Sequence, residues 1–156
     1  MKFKLTLTLL LSVLALFKGY TQTKEETIQT INSILAKSVG GTDSLQFGVY
    51  RKLGTITRNQ ISVDKKGLVH HYIDVDFTNG QETKYDRQTM AGDWMPFNKP
   101  SKLDGSLNYF YQIYPKRKGE KFDDAKLGDR FHYIDGDGEK LFVALNHLKN
   151  LYSKSK

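Results

Sequence analysis

The chain has 156 residues, no cysteine and a formal net charge of +7 at pH 7. The lack of cysteine excludes disulfides, thiolate metal sites and cysteine nucleophiles. The modest excess of basic residues does not indicate a nucleic-acid partner. A chain of this length can build one hydrophobic core, so we expect one folded domain.

The first 21 residues have the pattern of an export signal. Two lysines precede an uncharged, mostly apolar run over residues 5–17, which is shorter than the roughly 20 residues that span a bilayer. The small residues Gly19 and Thr21 favour cleavage before Gln22; the alternative is an uncleaved N-terminal anchor.

Cleavage at this point defines the mature protein. Residues 1–21 carry three lysines and no acid, so their removal lowers the net charge to +4. We therefore predict a signal peptide over 1–21 and a single α+β domain over 22–156. The expected location is periplasmic or secreted, with no transmembrane span after cleavage.

Helical patterns occur near both ends of the mature chain. Thr23 and Glu26 have the spacing of a capping box, which predicts a helix over 24–38. The segment 135–154 predicts a closing helix, because its apolar residues fall in one stripe at helical spacing. The stripe contains Leu141, Ala144, Leu145, Leu148, Leu151 and Tyr152.

Between these helices the hydrophobic period is close to two, which is typical of strands. Strands 68–77 and 82–90 flank Thr78-Asn79-Gly80, a strong hairpin signal, so we expect them to pair antiparallel. About six strands are predicted in all, over 46–52, 55–63, 68–77, 82–90, 107–114 and 130–134.

This order of elements favours an α+β fold in which a curled sheet or small barrel packs against both helices. A strand run closed by an amphipathic helix resembles a pleckstrin-homology-like (PH-like) barrel; a cystatin-like sheet is the alternative. The segments TKEETIQTINSIL and LFVALNHLKNL are similar to small uncharacterised secreted proteins of Gram-negative bacteria. That resemblance implies no catalytic residue.

Aromatic side chains provide the candidate ligand site. Trp94 and Phe97 lie in an irregular, proline-containing segment, and Tyr109 and Tyr111 share one face of a predicted strand. Aromatic rings in such a segment can cover the mouth of a sheet or barrel and stack on a sugar or an apolar ligand. The alternative is that this segment fills the end of the core.

Two further groups of residues are candidates for partner binding. Phe142 and Val143 lie outside the apolar stripe of the closing helix, which is expected of residues that contact a partner or neighbouring loops. Lys116, Arg117 and Lys118 form a basic run suited to an anionic partner, or a solvated loop.

The sequence assigns no catalytic residue, metal ligand or cofactor. G-x-S-x-G, P-loop and H-E-x-x-H motifs are lacking, and the segment that starts at Asp135 lacks the Gly and Glu of a calcium-binding EF-hand loop. His70 and His71 are adjacent on a strand and point to opposite faces. Seven aspartates (Asp74, Asp76, Asp86, Asp93, Asp123, Asp124 and Asp129) leave a pair for acid–base chemistry open, without selecting one.

The sequence leaves three candidate functions. The first is an exported, non-catalytic binding or interaction domain. The second is a carrier of a small apolar ligand or sugar, with the segment around Trp94 as its lid. The third is a small hydrolase that uses a pair of aspartates.

Overall fold

The structure is a computed structural model that describes residues 22–47, 50–77, 79–95, 97, 100–102, 108–114 and 128–153. It is an α+β fold with two helices and two antiparallel sheets. The elements in chain order are α1 (Lys24–Ala36), β1 (Thr42–Phe47), β2 (Tyr50–Val63), β3 (Leu68–Phe77), β4 (Glu82–Met90), a short 3₁₀ helix (Ala91–Asp93), β5 (Ser101–Lys102), β6 (Asn108–Ile113), β7 (Asp129–Ile134) and α2 (Gly138–Ser153).

The larger sheet has the strand order β1-β2-β3-β4, and the smaller one has the order β5-β6-β7. The predicted pairing of β3 with β4 is confirmed, with Leu68 opposite Met90 and Asp76 opposite Glu82. A register shift between Ile56 and Arg58 interrupts the pairing of β2 with β3. Such a bulge bends a strand and increases its twist, in keeping with the curl of this sheet.

The first two strands differ from the prediction. The predicted strand 46–52 is divided between two strands, because Phe47 of β1 pairs antiparallel with Tyr50 of β2. The predicted break before residue 55 is wrong, since β2 runs through Gly54 without interruption. A Cβ at this glycine would lie 2.5 Å from Val75 and 2.8 Å from Phe77, so Gly54 allows close packing against β3 instead of ending a strand.

The described residues therefore form seven strands, where about six were predicted for the chain. The additional one, β5, has only two residues and lies in the segment expected to be irregular. The strands also divide into two sheets, whereas one curled sheet or small barrel was expected.

Both helices form as their sequence patterns predict. Thr23 Oγ1 accepts a hydrogen bond from the Glu26 amide at 3.1 Å, and the Glu26 carboxylate accepts one from the Thr23 amide at 2.8 Å. This confirms the capping box, although α1 ends at Ala36, two residues before the predicted end. The stripe of α2 lies on the core: Leu141, Ala144, Leu145, Leu148 and Tyr152 are buried, and Leu151 packs against them.

The main core lies where both helices meet the two sheets. Ile31 and Leu35 of α1, Phe131 of β7, and Leu145 of α2 are all fully buried there. A smaller cluster at the far end of the larger sheet contains Ile56, Ile73, Val75 and Phe77. The main core therefore holds β7 and α2 against each other, and these are the elements that form the site described next.

The edge of β2 that β1 leaves unpaired is covered by α1. Asn32 Nδ2 donates to the Ile61 carbonyl at 3.0 Å, and the Ile61 amide donates to Asn32 Oδ1 at 2.7 Å. One side chain thereby satisfies both backbone groups of a strand residue, as a neighbouring strand would. This fixes the helix to the sheet in a single register.

Candidate functional site: a tyrosine groove

A groove of about 530 Å³ opens where the smaller sheet meets the amino end of α2. We call it the tyrosine groove, because three of its lining residues are tyrosines from adjacent strands. Its volume falls within the range of small-molecule sites, roughly 300–1,000 Å³. It is lined by Pro100, Tyr109, Tyr111, Tyr133, Asp135, Gly136, Gly138, Glu139 and Phe142.

The three tyrosine rings form a near-parallel row. Tyr109 lies directly opposite Tyr133 in the register of β6 and β7, and their ring centroids are 5.7 Å apart at an interplanar angle of 22°. Tyr111 and Tyr133 are related diagonally, with centroids 5.3 Å apart at 19°. Cross-strand aromatic pairs of this kind stabilise a sheet and hold each other's orientation.

The row is also joined to the start of α2. The Tyr111 hydroxyl donates to the Gly138 carbonyl at 3.2 Å. A Cβ at Gly138 would lie 2.9 Å from the Tyr133 ring, so glycine lets the helix begin directly against that ring. The position of the helix relative to the row is therefore set by close packing and by a hydrogen bond.

The electrostatics of the groove come from two carboxylates. Asp135 and Glu139 are both exposed at its rim. Burial raises the pKa of Tyr111, and the charge of Glu139 adds to this rise. Burial and the neighbouring Tyr111 hydroxyl raise the pKa of Tyr133 strongly, with a further contribution from Asp135. Tyr111 and Tyr133 are therefore neutral at physiological pH, and the negative charge of the groove resides on the carboxylates.

The residues predicted for ligand binding divide into two layers. Tyr109 and Tyr111 line the groove, whereas Trp94 is buried, with only 2% of its surface exposed. Its Nε1 donates to Thr89 Oγ1 at 2.9 Å, and its ring meets Phe131 edge-on at 5.9 Å. Phe97 lies between the layers, with its centroid 6.1 Å from Trp94 and 6.0 Å from Phe142.

The residues predicted for partner binding lie on either side of α2. Phe142 is 40% exposed and lines the tyrosine groove. Val143 is 59% exposed and lines a second groove of about 380 Å³, together with Gln22, Thr30, Glu139, Lys140 and Ala144. Phe142 thus belongs with the predicted ligand residues. Lys116, Arg117 and Lys118 lie outside the described residues.

Sequence reasoning missed Tyr133, Asp135 and Glu139. The alternation of Phe131 and Tyr133 on β7 was the available signal, but its partner strand could not be identified from the sequence. Asp135 was interpreted as a turn residue, and the backbone amide of Gly136 does donate a hydrogen bond to Asp135 Oδ1 at 3.0 Å. Glu139 was interpreted only through its position near the helix dipole.

A second polar cluster lies in the interior and connects the two sheets. His71 of β3 is fully buried, and its Nδ1 lies 2.7 Å from Asp129 Oδ2 on β7. Its Nε2 lies 2.8 Å from Asn59 Oδ1 on β2. The Asn59 amide group donates to Ser38 Oγ at 2.8 Å and to the His132 carbonyl at 3.3 Å, which directs its oxygen towards the imidazole.

Both imidazole nitrogens of His71 therefore face acceptors. The contact with the Asp129 carboxylate is the shorter of the two, and it joins β3 to β7 in the interior. Arg87 Nε lies 3.7 Å from the other carboxylate oxygen of Asp129. Neither His71 nor Asp129 is reachable by a substrate, since they are 0% and 3% exposed. We interpret this cluster as structural.

The remaining histidines are not brought together into a metal site. His70 bonds Asp86 at 3.1 Å on the open face of the larger sheet, and His147 bonds the Gln22 carbonyl at 3.0 Å. Both ring nitrogens of the buried His132 lack a hydrogen-bond partner in the described part of the chain, although Asp43 Oδ1 lies 3.3 Å from Nε2. Within the described ranges no group of three or more His, Asp or Glu side chains is arranged to hold a metal ion.

The described aspartates among those considered for a hydrolytic pair do not line the tyrosine groove. Asp86 and Asp129 pair with histidines, and Asp74 lies 3.9 Å from Arg58. Asp123 and Asp124 are outside the described residues.

No family model, curated protein or solved structure matches this chain. No helix among the described residues has the length and apolarity needed to cross a membrane. The groove is therefore interpreted from its own geometry and charge.

The Asp129→Asn exchange tests the buried cluster. We expect it to lower the free energy of unfolding by about 2 kcal/mol, because it removes the buried carboxylate that bonds the His71 imidazole. Asp86→Asn is the matched control, since it breaks an exposed His–Asp pair and should cost less than about 1 kcal/mol. Urea denaturation at pH 7 measures both. Equal effects of the two exchanges would contradict the role given to His71.

The Tyr133→Phe exchange tests the electrostatics of the groove. The folded-state pKa of Tyr133 is raised above its unfolded value of about 10. Its stabilising contribution is therefore present below pH 10 and is lost as the pH rises above it, by at most about 1.4 kcal/mol per pH unit. Phenylalanine does not titrate, so the variant should lose less free energy of unfolding between pH 9 and pH 11 than the original chain does.

Urea denaturation across this pH range provides the measurement. The interval from pH 7 to pH 8 is the internal control, since Tyr133 does not titrate there and the difference between variant and original should stay constant. If the variant and the original chain lose equal free energy of unfolding above pH 10, the Tyr133 hydroxyl is not desolvated in the folded protein.

Proposed function

We propose that this protein is an exported, non-catalytic binding domain whose ligand site is the tyrosine groove. The observation that carries the proposal is the convergence of Tyr109, Tyr111, Tyr133 and Phe142 on one groove. Concave sites with an aromatic lining and few polar groups are where proteins most often bind small molecules. Two of the four aromatics predicted for ligand binding line this groove, and a third, Phe97, supports its wall.

Rigidity supports the same proposal. The aromatic lining residues lie on two strands and in the first turns of a helix, and their rings pack against one another. A site built on such elements loses little conformational entropy when it binds a ligand.

The carrier function needs a different location from the one predicted. A lid at Trp94 requires a free ring face, but this ring contacts Thr89, Phe97 and Phe131 in the core. We therefore place a small ligand in the groove in front of Phe97 and not beneath Trp94. A PH-like architecture remains part of the proposal, supported by the closing helix that packs on the sheets, and it assigns no function by itself.

Export is the first testable part. Residues 1–21 should direct the chain to the periplasm or the medium of a Gram-negative host, with a mature amino terminus at or near Gln22. Leu10→Arg places a charge in the middle of the apolar run and should retain the full-length chain in the cytoplasm. Fractionation and the intact mass of each fraction give the result. Cytoplasmic accumulation of the original chain at full length would refute export.

The groove is the second part. The mature chain is screened by calorimetry against oligosaccharides, peptides, fatty acids and small organic cations. We expect one class to bind saturably and to lose at least about tenfold in affinity on Tyr109→Leu, because a ring face is lost. Tyr72→Leu, which removes a tyrosine from the open face of β3, is the matched control and should leave the affinity unchanged. Binding that survives Tyr109→Leu, or no binding by any class, refutes the groove as the site.

A further inference from the structure

We infer that the ligand of the tyrosine groove is a small organic cation, such as an alkylammonium compound. This inference rests on the proposed function and goes one step further, to the chemical class of the ligand. Three observations support it: a ring face at the mouth of the groove, an excess of negative charge beside it, and two rim carboxylates that form no salt bridge with another described residue.

The first observation is a cation already placed over the outermost ring. Lys102 Nζ lies 5.0 Å from the centroid of Tyr109, and the two residues are opposite each other in the register of β5 and β6. The negative face of an aromatic ring attracts ammonium groups at this distance. Lys102 is exposed and has a long flexible stem, so a ligand can displace it from the ring.

The second observation is the balance of charge. Among the described residues, the lining of the groove includes two carboxylates, Asp135 and Glu139, and the ammonium of Lys102 lies over its Tyr109 ring. This local excess of negative charge lies on a chain whose overall charge is positive. The rise in the pKa of Tyr133, to which Asp135 contributes after burial and the neighbouring tyrosines, is consistent with a negative potential at this place.

The third observation is that the two rim carboxylates form no salt bridge within the described part of the chain. Neither Asp135 nor Glu139 forms a salt bridge with another described residue, whereas Asp137 between them is bound to Lys37 at 2.8 Å. The two exposed carboxylates therefore keep their charge for a ligand. They also flank the positive end of the α2 dipole, which would otherwise favour an anion.

Together these features provide an aromatic face for the cationic group and two counter-charges at the rim. A neutral sugar would use the ring face but would gain little from net charge. An anion would meet two carboxylates. A compact cation is favoured by both features, and the volume of about 530 Å³ leaves room for an organic body beside Phe142.

Calorimetric titration of the mature chain with choline tests the inference, with the uncharged tert-butyl analogue of choline as the matched ligand. Choline should bind saturably, and the analogue at least about tenfold more weakly, because it has the same shape without the charge. Asp135→Asn and Glu139→Gln should each weaken choline binding about threefold to tenfold, the effect of one nearby charge in a hydrated site. Asp76→Asn, an exposed carboxylate on β3, is the control and should have no effect.

Lys102→Met gives a change of opposite sign. Removal of the competing ammonium should strengthen choline binding about threefold, whereas it should weaken any ligand for which Lys102 donates a hydrogen bond. Tyr109→Phe keeps the ring and should retain binding, while Tyr109→Leu should lose it. The thermal midpoint of each variant confirms that it is folded.

The outcomes separate the two proposals. Equal binding of choline and its analogue, saturable binding of inorganic phosphate at the groove, or oligosaccharide binding that Lys102→Met weakens would each overturn the cation and leave the groove as a binding site. No saturable binding by any ligand class would overturn both.

Discussion

The buried hydrogen-bond chain from Asp129 through His71 to Asn59 holds the two sheets in one arrangement. It links β7 to β3 and β2 in the interior. If these hydrogen bonds were broken there, water could not replace them. A hydrophobic interface alone would tolerate sliding of one sheet over the other. Hydrogen bonds between buried polar groups do not, because any shift leaves a buried donor or acceptor without its partner. In a cysteine-free chain no disulfide can supply this constraint.

The tyrosine groove depends on that constraint through β7. This strand is fixed near its start by Asp129, while Tyr133 near its end stacks on Tyr109 and Tyr111. Tyr111 in turn bonds the first residue of α2. The groove is therefore an extension of the core, and its rings are positioned by the same contacts that join the sheets. This is the physical reason for regarding it as preorganised.

The sequence predicted the features that depend on local spacing. The capping box of Thr23 and Glu26, the β3–β4 hairpin and the stripe of α2 all follow from residues within a few positions of one another. The course of β2 was not predictable, because the role of Gly54 depends on Val75 and Phe77, more than twenty residues away. Tyr109 and Tyr111 were recognised as a shared face, but the ring that completes them, Tyr133, becomes visible only when β7 is paired with β6. Trp94 was predicted to bind a ligand because it lies in an irregular segment with another aromatic residue. Its burial in the structure shows that it belongs to the core.

The positions of Phe142 and Val143, which lie outside the apolar stripe of α2, follow from the way this helix packs on the core. A helix that rests one stripe on a core presents its flanks to whatever lies beside it. On one flank of α2, Phe142 faces the tyrosine row, with its centroid 6.0 Å from Tyr111, and on the other Val143 faces a groove beside α1. Glu139 borders both grooves, since it lies one turn before Phe142 and Val143.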